Sequence, residues 1–445
     1  MSRRAHALTR AAELVATYGL PAFLLTLPLE FTAMLFGQQL SRFVLLLVAV
    51  AYVYLLVARR RTLSVPRFLS VLLLVVLTLA SLASWLFTRA PHSTNQLLGI
   101  ALYPIVGLLL TNLPVSERDH HRAWAAFMVS GALVAVLGFV LYVGHLHIWS
   151  PNPAVANRLN ITFADPNITA RFLTLAACVA VLMFSARKAP VWLSIATAIC
   201  CAVVLPMTWS RSGIALFVVC VALMVAFALD RRRALAIAAV ALVAFGLSTT
   251  VNPDTRDRAM AAAATAYTAL SGQAVEGYTA PASDPGGIAL SDNRVYLVSA
   301  GLKMFSDHPL LGVGFGGYQN AMLTTYRYFL PQGYTDSVSH TSVITVLAEQ
   351  GLIGLALLLL FLVQLAREAY ASRRRDQGDW LFWTTVPAAL ILPIFLFSQF
   401  EARFLQEPYF WVALGMYYSA RMLAQRDAAL APTASTARAR AERAA

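Results

Sequence analysis

Residues 57–88 read VARRRTLSVPRFLSVLLLVVLTLASLASWLFT. Arg59, Arg60, Arg61 and Arg67 are followed by roughly 20 residues without a charge, the length an α-helix needs to cross the hydrocarbon core of a bilayer. The same alternation of a short basic segment with a long apolar run continues in both directions. Twelve spans are predicted, over 14–36, 40–58, 67–88, 95–113, 122–144, 168–186, 190–208, 212–229, 233–250, 341–366, 380–400 and 407–424. The pattern therefore predicts an all-α polytopic membrane protein with about 12 transmembrane helices. Composition agrees. Of 445 residues, 59% are hydrophobic and 12% charged, against about 25% charged in a soluble domain. That balance excludes a disordered chain, a disulfide scaffold and an ordinary soluble enzyme.

Arginine placement orients the spans. With the N-terminus cytoplasmic, 23 of the 34 Lys and Arg residues fall on the cytoplasmic side and every short inside loop is basic. Both ends are then cytoplasmic. The net charge of +13 is thereby mostly topology, and no nucleic-acid partner is called for. The basic N-terminus runs into the first span without an A-x-A site, which reads as an uncleaved span. Cys178, Cys200, Cys201 and Cys220 all lie in apolar runs, so neither disulfides nor zinc are expected. Four regions result: spans one to nine over 1–250, an outside loop domain over 251–340, spans ten to twelve over 341–424, and a disordered cytoplasmic tail over 425–445.

The positive-inside rule does not call for the cations left on the outside. They include Arg158, Arg171, Arg211 and Arg294. Two outside connections are also long, GHLHIWSPNPAVANRLNITFADPN over 144–167 and the stretch 251–340. The second contains two helical patterns. Residues 256–270 are alanine-rich, and 292–306 carry Val295, Val298, Leu302 and Phe305 on one face, with Ser291 as N-cap. Between them runs EGYTAPASDPGGIALS, which reads as a mobile linker.

Several residues could carry chemistry. Arg211, in MTWSRSG between spans seven and eight, is either an arginine snorkelling to the interface or an anion ligand. Arg294 stands in the first turn of the 292–306 pattern, where a cation opposes the helix dipole. It reads either as a phosphate ligand or as half of a salt bridge to Asp292 or Asp284. His340 precedes span ten, where an imidazole can accept a proton or merely flank a helix cap. Glu30, Glu349 and Glu401 lie in or near apolar spans and are functional candidates by default, or partners that hold an arginine. The glycines Gly312, Gly314, Gly316 and Gly317 lack the GK[ST] of a P-loop and read as tight turns. His145-x-His147 is too sparse for a metal site.

The ordered combination of SRSG, Arg294, HPLLGVGFGGY and His340 with TSVITVLAEQGLIG resembles the bacterial O-antigen ligase family. That family shares its Wzy-type domain with O-antigen polymerases and O-linked protein oligosaccharyltransferases. The resemblance is strongest over roughly 160–360 and is carried elsewhere by topology. It implies a GT-C-like fold with a long helical periplasmic loop between spans 9 and 10, in the bacterial inner membrane. It implies an inverting glycosyltransferase acting at the periplasmic face without metal, nucleotide or other cofactor. The donor would be a glycan on undecaprenyl diphosphate and the acceptor a sugar of lipid A–core. His340 would be the general base, and Arg211 and Arg294 would bind the diphosphate. Arg158, Arg171, Asn167 and Tyr318 are further candidates for contact with lipid or substrate. An O-antigen polymerase or a protein-directed transferase would differ in acceptor. A polyprenyl-lipid flippase would instead place charges at mid-membrane.

Overall fold

The computed structural model describes residues 3–30, 34–88, 93–146, 158–251, 289–330, 339–376, 378–401 and 404–430, with scattered positions between 253 and 267. In chain order the helices are α1 (Arg3–Thr26), α2 (Leu40–Val57), α3 (Leu69–Thr88), α4 (Thr94–Asn112), α5 (Glu117–Val143), α6 (Pro166–Ser185), α7 (Val191–Val204), α8 (Arg211–Phe227), α9 (Arg231–Val251), α10 (Ala289–Asp307), α11 (Tyr318–Leu323), α12 (Ser342–Arg375), α13 (Gly378–Ser398) and α14 (Pro408–Leu430). Short 3₁₀ turns precede α8, follow α11 and precede α14. The protein is an all-α polytopic membrane protein. Eight of the described helices are long and apolar enough to cross a membrane, and two shorter apolar ones cover Gln96–Asn112 and Arg211–Phe227.

The centre of the bundle is α6. Of its apolar window 94% is buried, against 28% of that in α2, α3 and α9. A helix apolar on every face belongs inside, whereas the others turn one face to lipid. Small residues allow α6 its close neighbours. A Cβ on Gly131 of α5 would lie 2.4 Å from that of Ala176, and one on Gly213 of α8 would lie 2.5 Å from that of Ala170.

Four element boundaries differ from the expected ones. The first helix ends at Thr26 rather than at residue 36, because Pro28 has no N–H for the ladder and disfavours the helical region at Leu27. A two-residue hairpin follows, pairing Met34–Leu35 (β1) with Gln38–Gln39 (β2) antiparallel. Its turn residues Phe36 and Gly37 both have positive φ, as a tight hairpin requires. Further along the chain α10 begins at Ala289, so Ser291 is not its cap. At the other end α14 continues to Leu430. The Gln425–Leu430 part of the expected tail is thus helical, with alanine and leucine favouring it. The alanine-rich pattern 256–270 lies largely outside the described residues, as does the linker 276–291 up to residue 288, while its last residues Ala289–Ser291 are helical and open α10 rather than linking to it.

The tenth predicted span is a broken helix. Within α12, Gly351 has φ 62° and ψ −157°, a conformation open essentially to glycine alone. The break frees backbone groups on both sides, and the segment 308–318 satisfies them. Val313 N–H donates to Ala348 O (2.9 Å) and Gly314 N–H to Glu349 O (2.9 Å), while Leu352 N–H donates to Pro309 O (2.8 Å). Gly312, Gly314 and Gly316 all have positive φ, so the glycine run forms tight turns. A Cβ on Gly351 would meet the Leu310 carbonyl at 2.4 Å. Gly351→Ala is therefore expected to expel the 308–318 segment and to lower the midpoint of thermal unfolding in detergent by several degrees. An unchanged midpoint would show that the break does not depend on this glycine.

Candidate active site

Two helix starts meet at one end of the bundle. Asp165 caps α6, its carboxylate accepting from Asn167 N–H (2.7 Å). Ser210 caps α8, its hydroxyl accepting from Gly213 N–H (3.1 Å). The turn into α8 passes through Trp209 at φ 53°. Asn167 joins the two helices. Its Oδ1 accepts from Ser210 Oγ (2.7 Å) and from Arg158 Nη2 (3.1 Å). Arg158 Nε also donates to Thr208 O (3.2 Å). The half-buried Arg211 is the first residue of α8. SRSG is thus a helix cap, a cation and a close-packing glycine in succession. A cation at a helix N-terminus is unfavourable for the helix itself. Two converging N-termini and two arginines, set against the one Asp165 carboxylate, leave an excess of positive charge, a setting that suits a phosphate.

One turn further along α6, Arg171 is 3% exposed. Its guanidinium is paired with Glu401 through one terminal nitrogen and with Glu407 through the other. Glu30 approaches the same region, accepting from Ala164 N–H at 3.5 Å. Arg171 therefore faces the interior with its charge matched by carboxylates, and Glu401 takes the arginine-holding role open to it.

His340 stands at the start of α12 and is half-buried, with φ 56°. Positive φ is uncommon for a residue with a Cβ. Contacts on the following residues hold it there. Thr341 Oγ1 donates to Gln399 O (3.3 Å). Ser342 Oγ donates to Ser398 O (3.0 Å) and accepts from Phe404 N–H (3.2 Å). The turn that pins His340 is thus the turn that carries Glu401, so both helix starts are tied to it. A small cleft lined by Phe315, Ser342, Thr345, Glu349, Leu358 and Phe404 runs along α12 from its first turn to Leu358.

The remaining candidates divide. Arg294 lies in the second turn of α10, and its side chain is outside the described residues, as is His147. Tyr318 is buried, its hydroxyl donating to Leu297 O and its N–H to Glu349 Oε1 (3.1 Å). It bonds α10 and α12. Glu349 also accepts from Gly316 N–H (2.9 Å). Its carboxylate holds backbone rather than an arginine. At the far end of α10, Asp307 accepts from Lys303 and Tyr326. These bonds hold the Asp307 carboxyl below its usual range. Burial, reinforced by Asp307, pushes Tyr326 up to about 12, so it remains a donor at neutral pH. Among the described residues no group of three or more His, Cys, Asp or Glu is placed to hold a metal ion.

Residues 196–359 match the family model described as O-antigen ligase. The match runs from α7 to the middle of α12 and includes Arg211, Arg294, Tyr318 and His340. Arg158, Asn167 and Arg171 precede it. No curated protein matches the chain.

Asn167 is the residue that sequence reasoning undervalued, because its partners lie 9 and 43 positions away. Asn167→Ala removes the acceptor shared by Arg158 and Ser210. A lost bond of this charge-assisted kind is worth about 1.5–3 kcal/mol. Binding of a polyprenyl diphosphate, measured by calorimetry in detergent, is expected to weaken at least tenfold. Wild-type affinity would detach Arg158 and Asn167 from the anion site.

Proposed function

We propose that the protein is an O-antigen ligase, transferring a glycan from undecaprenyl diphosphate to a sugar of lipid A–core. The reaction takes place at the periplasmic face of the inner membrane, with both chain ends cytoplasmic and a twelve-span, GT-C-like arrangement. The observation that carries this reading is the meeting of Arg158, Asn167 and Arg211 at the joined N-termini of α6 and α8, with the start of α12 tied to the same end through the 398–407 turn.

The leaving group is a diphosphate. Arg211 and Arg158 neutralise the charge that develops on it as the bond from phosphate oxygen to anomeric carbon breaks. Arg294 joins them from α10. His340 takes the proton of the acceptor hydroxyl as that oxygen attacks the anomeric carbon from the opposite side, which inverts its configuration. The glycosyl–phosphate bond supplies the driving force, so no nucleotide is consumed. Guanidinium groups do the electrostatic work that a divalent ion does in other phosphate-releasing enzymes. Arg171 acts through position, since its charge is already matched by Glu401 and Glu407.

His340→Ala, Arg211→Ala and Arg294→Ala are each expected to reduce transfer in vitro by at least about 100-fold, with membrane insertion and detergent stability unchanged. The assay supplies polyprenyl-diphosphate glycan with rough lipopolysaccharide, a free glycan or a protein as acceptor. Near-wild-type transfer by a variant would remove that residue from the mechanism. Product on either alternative acceptor alone would move the reading to a polymerase or a protein-directed transferase. Transfer is also expected to persist in excess chelator. Activity lost in chelator and restored by Mg²⁺ would overturn the role given to the arginines.

A further inference from the structure

We infer that the glycine-rich segment following α10 is a re-entrant membrane element, with Leu310 and Leu311 set among the acyl chains of the outer leaflet. The inference rests on the membrane-crossing helices alone and not on the transfer reaction. It revises the expectation that all of 251–340 lies in water.

The depth follows from α3. Its 20 residues span about 30 Å, the thickness of the hydrocarbon core. Arg67 stands just before its inner end, so Thr88 falls near the outer boundary. Ser84 is one turn inside that boundary, about 6 Å deep, and Ser81 about 10 Å deep. The glycine-rich segment is bonded to this part of α3. Phe315 N–H donates to Ser84 Oγ (3.1 Å), and Ser84 Oγ reaches Leu311 O (3.4 Å). A Cβ on Gly314 would overlap the Thr88 side chain. On the other flank, Gln350 accepts from Ser81 Oγ (2.8 Å), which sets the break in α12 at the same depth.

The outer surface of the segment is apolar and continuous with lipid-facing helix. Leu310 and Leu311 are 62% and 45% exposed, and Leu352 and Ile353 are 54% and 43% exposed. The two pairs are neighbours, since Ile353 N–H donates to Leu310 O (3.4 Å). No Asp, Glu, Lys or Arg occurs between Asp307 and Arg327. Irregular backbone at membrane depth is tolerated only where protein satisfies it, and here it is satisfied. The Glu349 carboxylate takes two N–H groups of the segment and the carbonyls at the α12 break take two more. Glu349 is therefore the ligand that lets a turn enter hydrocarbon. The start of α12 lies nine residues before Gly351, about 13 Å further out, which sets His340 at the headgroup level.

The test is spin-label depth measurement on the full chain in phosphatidylethanolamine/phosphatidylglycerol vesicles, with the four native cysteines replaced by alanine. Labels on L310C, L311C and, as references, L352C and Y328C are compared by power saturation with oxygen and with a nickel chelate. Positions 310 and 311 are expected to favour oxygen several-fold, as 352 does, while 328 favours nickel. Nickel accessibility at 310 and 311 equal to that at 328 would overturn the inference. Bromolipid quenching of L310W in the chain with its native cysteines gives an independent reading. Strong quenching is expected, and no quenching beyond that of the wild type would overturn it.

Discussion

Hydrocarbon offers no partner to a backbone N–H or C=O, so every departure from helix inside this protein has to be answered by another part of the chain. That constraint decides where chemistry can occur. Helices must end before their polar termini are stranded, and the termini of α6, α8 and α12 gather at one end of the bundle. Each of these ends presents N–H groups, and each is completed by a side chain or a neighbouring turn: Asp165 for α6, Ser210 for α8, and the contacts of Thr341 and Ser342 with the α13 end for α12. Under the ligase reading, such an arrangement needs little addition to hold a lipid-borne anion. Two arginines and a bridging asparagine supply the addition.

The Arg171 cluster shows how the two halves of that end are kept in register. Asn167 and Arg171 are one turn apart on α6. Glu401 and Glu407 belong to the turn whose first residues hold the start of α12. Burying these charges is costly, and the pair is weak evidence for stability. Its value is geometric. A guanidinium fork matched on two terminal nitrogens fixes direction as well as distance. Removing one partner would strand the others at a cost of about 3–5 kcal/mol, which makes the intact arrangement the one strongly preferred.

Much of the fold was legible in the sequence, because hydropathy and arginine spacing report directly on the bilayer. A helix lies over every predicted span. The errors lie at ends, where local chemistry overrides hydropathy: Pro28 stops α1 early, and helix-forming residues carry α14 beyond its apolar part. The site was legible in part. Arg211 stands out as a cation on the side that needs none, and His340 as an imidazole at a helix start. Asn167 stands in the sequence only as a further candidate for lipid or substrate contact and Ser210 only as part of SRSG, since capping and bridging roles are recognised only when the partners are known. Arg171 was grouped with the outside cations because its carboxylates are 230 and 236 positions away. Glu349 reads from the sequence as a functional carboxylate or as a partner that holds an arginine, and its partners in the structure are main-chain N–H groups, which leave no mark in a pattern of side chains.

The glycine-rich motif and the AEQG motif are separated by about thirty residues, yet they form one object. The first supplies positive-φ turns that bring N–H groups to a point, and the second supplies a carboxylate, free carbonyls and a glycine able to break a helix. Neither half is tenable alone in hydrocarbon, since the turns would carry bare amides and the break bare carbonyls. Their mutual satisfaction ties α10, which bears Arg294, to α12, whose start follows His340, through Tyr318 and Glu349. Under the ligase reading this matters for the reaction itself. The diphosphate ligand on the outer loop and the proton acceptor on the membrane helix belong to one unit, so the loop need not search for its place each time a donor arrives.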